Sequence, residues 1–188
     1  MRSFKQPSKE ELDHDFMWRA YRDVPAKGEI TIFNRSHYED VLVARVHGLV
    51  PKKQLRMRYE EINAIERHLS LNGTHILKFY LHISKEEQLR RFKQRLDDPA
   101  KHWKISADDY RERKYWDEYT DAFETMLARC STRAAPWFII PANQKWFRDL
   151  AVSRILVEYL EGLRMKYPAP SVNLDKIRKK YHQASKKR

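Results

Sequence analysis

Asn34 and Arg35 stand where an apolar run, Ile30, Ile32 and Phe33, meets a helix-opening signal, Ser36 with Glu39. A guanidinium is a fixed, forked cation whose geometry suits phosphate oxygens. The free N–H groups and positive dipole end of a following helix favour an anion at the same place. The chemistry this stretch points to is the holding of a phosphate chain. A second reading stays open, in which Arg35 is a surface residue paired with Glu39 or Asp40. Arg45 and His47 close the same helix; Arg45 is a candidate phosphate contact, although dipole complementation at a helix C-terminus explains a cation there equally simply. Lys101, Lys104, Arg111, Arg113 and Lys114 surround Ser106. They form either a solvated face or a mobile lid that brings cations over a phosphate chain. Trp103, Trp116 and Tyr119, nearby, are read as packing residues.

Elements that could position these side chains follow from the pattern. Ile30–Phe33 after a Pro/Lys/Gly turn reads as a buried strand, and Ser36/Glu39 as a capping box opening a helix through Val46. Ahead of it, Ser3–Gln6 is a short strand. Ser8/Glu11 is a second capping box, leading a stripe of Leu12, Phe16 and Tyr21. Lys52–Leu71 repeats Leu55, Tyr59, Ile62, Ile65 and Leu69 at helical spacing and stops at Asn72-Gly73. Ile76–Ile83 and Pro136–Pro141 read as strands. Ser84/Glu87 opens a helix to about Asp97, Ser106/Asp109 one to about Ala128, and Lys145–Met165 is a further amphipathic helix. Strands alternating with helices imply a parallel sheet covered on both faces, in one domain over 1–170 followed by a basic tail over 171–188.

Composition bounds the partners. The chain has 188 residues and a formal net charge of +12, which favours a polyanion: nucleic acid, a phosphate polymer or an acidic membrane surface. The lone cysteine, Cys130, cannot close an internal disulfide, so a reducing, cytoplasmic setting is expected. No apolar run reaches the roughly 20 residues that span a bilayer. The four glycines start neither G-x-x-x-x-G-K-[ST] nor G-x-G-x-x-G, and the histidines form no H-E-x-x-H pair. With one cysteine and no such pair, no protein-ligated metal is expected, and no G-x-S-x-G elbow supports a hydrolase.

Separated segments in a consistent order carry a more specific signal. FKQPSKEELDHDFMWR, GEITIFNRSHYEDVLVARVH, HWKISADDYRERKYWDEYTDAFE and APWFIIPANQKWFRDLAV together resemble the second family of polyphosphate kinases, from about Ser3 to Pro168. The resemblance implies an α/β, P-loop kinase-like fold, a parallel sheet flanked by helices with a helical lid. It implies phosphoryl transfer between inorganic polyphosphate and AMP or ADP, with Mg²⁺. Asn34-Arg35-Ser36 falls on the family's Walker-B-like motif, where many members have Asp in place of Asn34. The subgroup with Asn-Arg-Ser-His-Tyr-Glu is described as accepting both AMP and ADP. Arg35 would contact phosphate, and Lys104, Ser106, Asp109 and Arg113 fall on the lid motif, with Lys104 and Arg113 as phosphate contacts.

Family members carry a first strand and a Gly/Asp/Gly-Lys loop ahead of the Phe-Lys-Gln-Pro segment. Here the numbering begins just before that segment, so the domain is expected to be N-terminally truncated, its sheet short of a central strand. The expected function is a polyphosphate-dependent nucleotide kinase, impaired where that loop is lacking, with inorganic polyphosphate and adenine nucleotides as partners. A homo-oligomer is expected, with neither membrane nor sequence-specific nucleic acid as a partner. The alternative is a non-catalytic module that holds polyphosphate or nucleic acid by charge alone.

Overall fold

The computed structural model describes residues 1–185; Lys186, Lys187 and Arg188 of the expected basic tail lie outside the described residues. The chain divides into two units, Met1–Arg148 and Asp149–Arg188.

In the first unit, β1 (Arg2–Ser3) lies parallel to β2 (Phe33–Asn34). The ladder runs from Arg2 N to the Ile32 carbonyl and from Phe4 N to the Asn34 carbonyl. Between them come α1 (Lys9–Asp13) and α2 (Trp18–Arg22). Then follow α3 (Glu39–Val46), α4 (Lys52–Leu71), β3 (Lys78–His82) and α5 (Lys85–Asp97). A 3₁₀ turn over Pro99–Lys104 leads to α6 (Ala107–Glu112), a second over Arg113–Tyr115 leads to α7 (Trp116–Cys130), and β4 (Trp137–Pro141) follows. β4 is parallel to β3, with Lys78 opposite Trp137 and His82 opposite Pro141. The parallel sheet is thus present, among the described residues, as two separate pairs.

The core lies between α3, α4 and α7. Val41, Leu42, Leu55, Tyr59, Ile62, Ala122, Met126 and Cys130 pack with Phe4, Met17, Ala20 and Tyr38. Leu55, Tyr59 and Ile62 are the apolar stripe expected for α4, and Asn72 with Gly73 (φ +87°) ends it. The Ser8 box forms in full: Ser8 Oγ accepts from Glu11 N at 3.2 Å, and Glu11 Oε2 accepts from Ser8 N at 2.9 Å.

Several expectations are corrected. Ile30 and Ile32 are 80% and 62% exposed, not buried. Alternation along an extended chain sends Phe33 inward, where its ring lies 5.0 Å from that of Phe4, and turns its neighbours outward. The Ser36/Glu39 box does not form. Ser36 Oγ accepts from Tyr38 N, the helix starts at Glu39, and the Glu39 carboxylate turns back to Arg35. The Leu12–Tyr21 stripe is broken because Asp15 Oδ1 caps Met17 N; Met17 and Ala20 are buried, while Leu12 and Tyr21 are exposed. The helix expected from Ser106 is divided by the Arg113–Tyr115 turn, and Trp103, expected to pack, is 78% exposed.

The boundary between the units falls within α8 (Lys145–Gly162). In the second unit, Arg154 pairs with Glu158 at 2.6 Å along this helix. The basic tail carries α9 (Leu174–Ser185), none of whose residues is buried. No described helix is long and apolar enough to cross a membrane.

Candidate functional site

Arg35 has φ +59°, the left-handed region, which an L side chain adopts at a cost of about 1–2 kcal/mol. That kink ends β2 and sends the guanidinium outward, 64% exposed and 3.6 Å from Glu39. The surface-pair reading of Arg35 and the phosphate reading are compatible, since an exposed pair is weak and an incoming polyanion can displace the carboxylate. Burial raises the pKa of Glu39, Arg35 lowers it, and the net shift is upward. The N-terminus of α3 is not a bare anion site. Glu39 and Asp40 occupy its first turn, and Asp40 is held by Arg19 at 2.9 Å.

The turn carrying Arg35 is anchored by a buried polar cluster. Lys78 Nζ donates to Glu66 Oε2 at 2.6 Å, to the Tyr38 hydroxyl at 2.8 Å and to the Cys130 carbonyl at 2.8 Å. Those acceptors use all the donors an ammonium has. Tyr38 in turn donates to Glu66 Oε1 at 2.9 Å. Burial pushes the Lys78 pKa down against the pull of Glu66, and burial followed by the Glu66 charge pushes that of Tyr38 far up. Burial also lifts the Cys130 thiol to about 11, so it is an inert packing group. The cluster ties α4, β3 and the end of α7 to Tyr38, the residue that precedes α3. Sequence reading passed over both charged members. A lysine inside the apolar run ILKFYLHI, and a glutamate continuing the Tyr59/Ile62 face of α4, were the available signals.

A second set of bonds joins the expected lid to α3. Glu112 Oε2 accepts from the Tyr119 hydroxyl at 2.7 Å and lies 2.9 Å from His47 Nε2, and the Tyr115 ring stands edge-on to His47 at 5.0 Å. Burial opposes ionisation of Glu112, but the bonds from Tyr119 and His47 outweigh it and hold the carboxyl below its ordinary 4.5. A depressed folded-state pKa contributes stability that is present above the unfolded value and lost as pH falls through the folded one. Glu112→Gln is therefore expected to lower the melting temperature at neutral pH by the equivalent of no more than about 1 kcal/mol, given the exposure of the pair. The gap should close as the pH is lowered below the ordinary carboxyl range, as read by thermal melts at neutral and acid pH. A gap that persists at the acid end would show that the carboxylate charge is not what matters.

The remaining candidates sit on separate elements. Arg113 Nη1 donates to the Lys85 carbonyl at 2.7 Å and to Gln88 Oε1 at 2.8 Å, at the start of α5. Lys104 stands 4.8 Å over the exposed Trp103 ring. Lys101 pairs with Asp98 at 2.6 Å, and Arg111 with Asp108. Arg45 is engaged by Asp121 of α7. Asn34 ends β2 with an exposed side chain. Burial raises the pKa of Tyr119 on α7, and its bond to Glu112 raises it further; the Glu39 charge adds a smaller push upward and the Arg35 charge a smaller pull downward. No group of three or more His, Cys, Asp or Glu suited to a metal occurs among the described residues, and the carboxylates that follow Asn34 in the chain, those of Glu39 and Asp40, are paired with arginines.

Residues 1–168 match the family model for polyphosphate kinase 2 (PPK2). An AMP/ADP-polyphosphate phosphotransferase of Meiothermus ruber is 52% identical over 175 residues, covering 93% of this chain and 66% of the relative. An ADP-polyphosphate phosphotransferase of Rhodopseudomonas palustris is 48% identical, covering 88% of this chain and 62% of the relative. The chain thus spans just under two thirds of the length of these curated relatives. The crystal structure of polyphosphate kinase 2 from Arthrobacter aurescens superposes with a TM-score of 0.94 at 44% identity, over 97% of this chain and 64% of that one. The α/β fold, parallel strands flanked by helices, is shared with that structure.

Proposed function

Because the chain belongs to the polyphosphate kinase 2 family, we propose that it serves phosphoryl transfer between inorganic polyphosphate and adenine mono- or diphosphates. The observation that carries this is that the family match over residues 1–168 contains every candidate cation: Arg35, Arg45, Lys104 and Arg113, with Asn34 beside the first. Such transfer consists of positioning and charge neutralisation. The acceptor is already an anionic phosphate oxygen, so no general base is needed. It attacks a terminal phosphorus of the polymer while the bridging bond breaks and the shortened chain leaves with the electron pair. Arg35 would hold phosphate oxygens at the end of β2. Lys104 and Arg113, on the segment between α5 and α7, would offset the charge that develops on the transferred group. Mg²⁺ would enter with the phosphates and supply further charge neutralisation. A cytoplasmic homo-oligomer over a domain of 1–170, with 171–188 as a basic extension, completes the proposal.

The test is to incubate the purified chain with polyphosphate, Mg²⁺ and ADP or AMP, measuring nucleotide products by chromatography and polyphosphate binding in parallel. ATP from ADP, or ADP from AMP, is the expected result. Polyphosphate binding without any nucleotide product would replace the kinase reading with the binding-module one. Absence of both would overturn the proposal.

A further inference from the structure

Arg113 differs from the other candidate arginines in what holds it. Arg35 faces Glu39, Arg45 faces Asp121 and Arg111 faces Asp108, so each shares its charge with a carboxylate. The Arg113 guanidinium makes no ion pair among the described residues; its Nη1 donates to two neutral acceptors on the first turn of α5, the Lys85 carbonyl at 2.7 Å and Gln88 Oε1 at 2.8 Å. Three positions apart on a helix, these groups lie near each other and reach the same nitrogen. Both hydrogens of Nη1 are thereby spent, and the edge formed by Nη2 and Nε carries the other three donors. That edge makes no hydrogen bond among the described residues. Neither atom is among the buried polar atoms left without a partner, so the edge is open to solvent. It is the edge whose parallel donors suit two oxygens of one phosphate.

Neutral acceptors fix a guanidinium without cancelling its charge. The positive dipole end of α5 adds to the field at the same place. Of the two acids in that first turn, Glu87 is taken by Arg90 and Arg91 at 2.6 and 2.7 Å. Glu86 is held ionised chiefly by its own backbone N–H and by Ser84, with Arg113 a lesser pull. A glutamate in place of Gln88 would grip the arginine harder and neutralise it; the amide grips it and leaves the charge free. We propose that Gln88 is a positioning residue for phosphoryl transfer, its amide oxygen and the Lys85 carbonyl together aiming the open edge of Arg113 at the phosphate chain. This rests on the reading of the chain as a polyphosphate-dependent kinase with Arg113 among its phosphate contacts. It adds what orients that arginine at the start of the Arg113–Tyr115 turn.

The test is calorimetric titration of the purified chain with polyphosphate at several salt concentrations, on the parent, Gln88→Leu, Gln88→Glu, Arg113→Gln and the double variant Gln88→Leu/Arg113→Gln. The slope of log affinity against log salt counts the cations that meet the polymer. Gln88→Leu leaves the charge but not its aim, so affinity should fall about 3- to 10-fold with the slope unchanged. Gln88→Glu should weaken binding at least as much and make the slope shallower by about one, as should Arg113→Gln. The double variant should bind no worse than Arg113→Gln alone, because Gln88 acts through that arginine. A loss that came from a loosened fold would instead appear in both backgrounds. Parent-like binding by Gln88→Leu, an unaltered slope in Gln88→Glu, or losses that add in the double variant would overturn the role of Gln88 and leave the kinase reading standing. Absence of polyphosphate binding by the parent would remove both.

Discussion

Glu66→Ala is expected to destabilise the Met1–Arg148 unit by about 3–5 kcal/mol, the range for removing one partner of a buried ion pair. The melting temperature should fall by on the order of 10 °C. The side chains of Lys78 and Glu66 are 7% and 3% exposed, so water cannot replace a lost partner. With Glu66 truncated, the Lys78 ammonium keeps only two neutral acceptors, the Tyr38 hydroxyl and the Cys130 carbonyl, and the Tyr38 hydroxyl loses the carboxylate to which it donates. Lys78→Met should cost a similar amount, because it strands the Glu66 carboxylate. The combination Glu66→Leu with Lys78→Met should cost clearly less than the sum of the single changes, with a coupling of about 2 kcal/mol or more. It should still not restore the parent, since the Tyr38 hydroxyl and the Cys130 carbonyl would lie in the core without their partner. Urea unfolding of the singles and the double measures all of this. Single changes costing under about 1 kcal/mol and adding simply would mean that the cluster is wetter and weaker than its geometry implies.

The same cluster marks the limit of what the sequence disclosed. Periodicity placed α4 to the residue and both longer strands to within a few residues, because those elements bury a regular stripe or a continuous run. It misplaced Ile30 and Ile32, since an apolar triplet carries no information on which face will find a partner. The Ser36/Glu39 spacing was right for a box, but the φ of Arg35 was unreadable. A left-handed arginine diverts the chain before the helix starts and takes the glutamate for itself. Glu66 and Lys78 were passed over because charge normally reads as surface; their burial depends on residues at 38 and 130, brought together only by the tertiary fold.

Arg35→Gly should separate stability from binding. Glycine adopts the left-handed conformation without the steric cost that arginine bears, a gain of about 1–2 kcal/mol. Against this stand the entropy that glycine adds to the unfolded chain, about 0.5–1 kcal/mol, and the loss of an exposed pair with Glu39 worth at most about 1 kcal/mol. Fold stability should therefore stay within about 1 kcal/mol of the parent. Polyphosphate affinity, by contrast, should fall roughly 10- to 100-fold, the equivalent of one or two charge-assisted hydrogen bonds, with a shallower dependence on salt. Arg35→Ala should bind as poorly and be less stable than the glycine variant, because alanine keeps the strain and gains nothing. Arg35→Lys should bind at an intermediate level, since it keeps the charge but not the fork. Titrations at two salt concentrations, set beside urea melts, read both axes. A strained, outward-facing arginine at a strand end points to a role for its guanidinium in solution. Were Arg35→Gly to bind polyphosphate like the parent, the strain would have no functional return and the polymer would have to be held elsewhere.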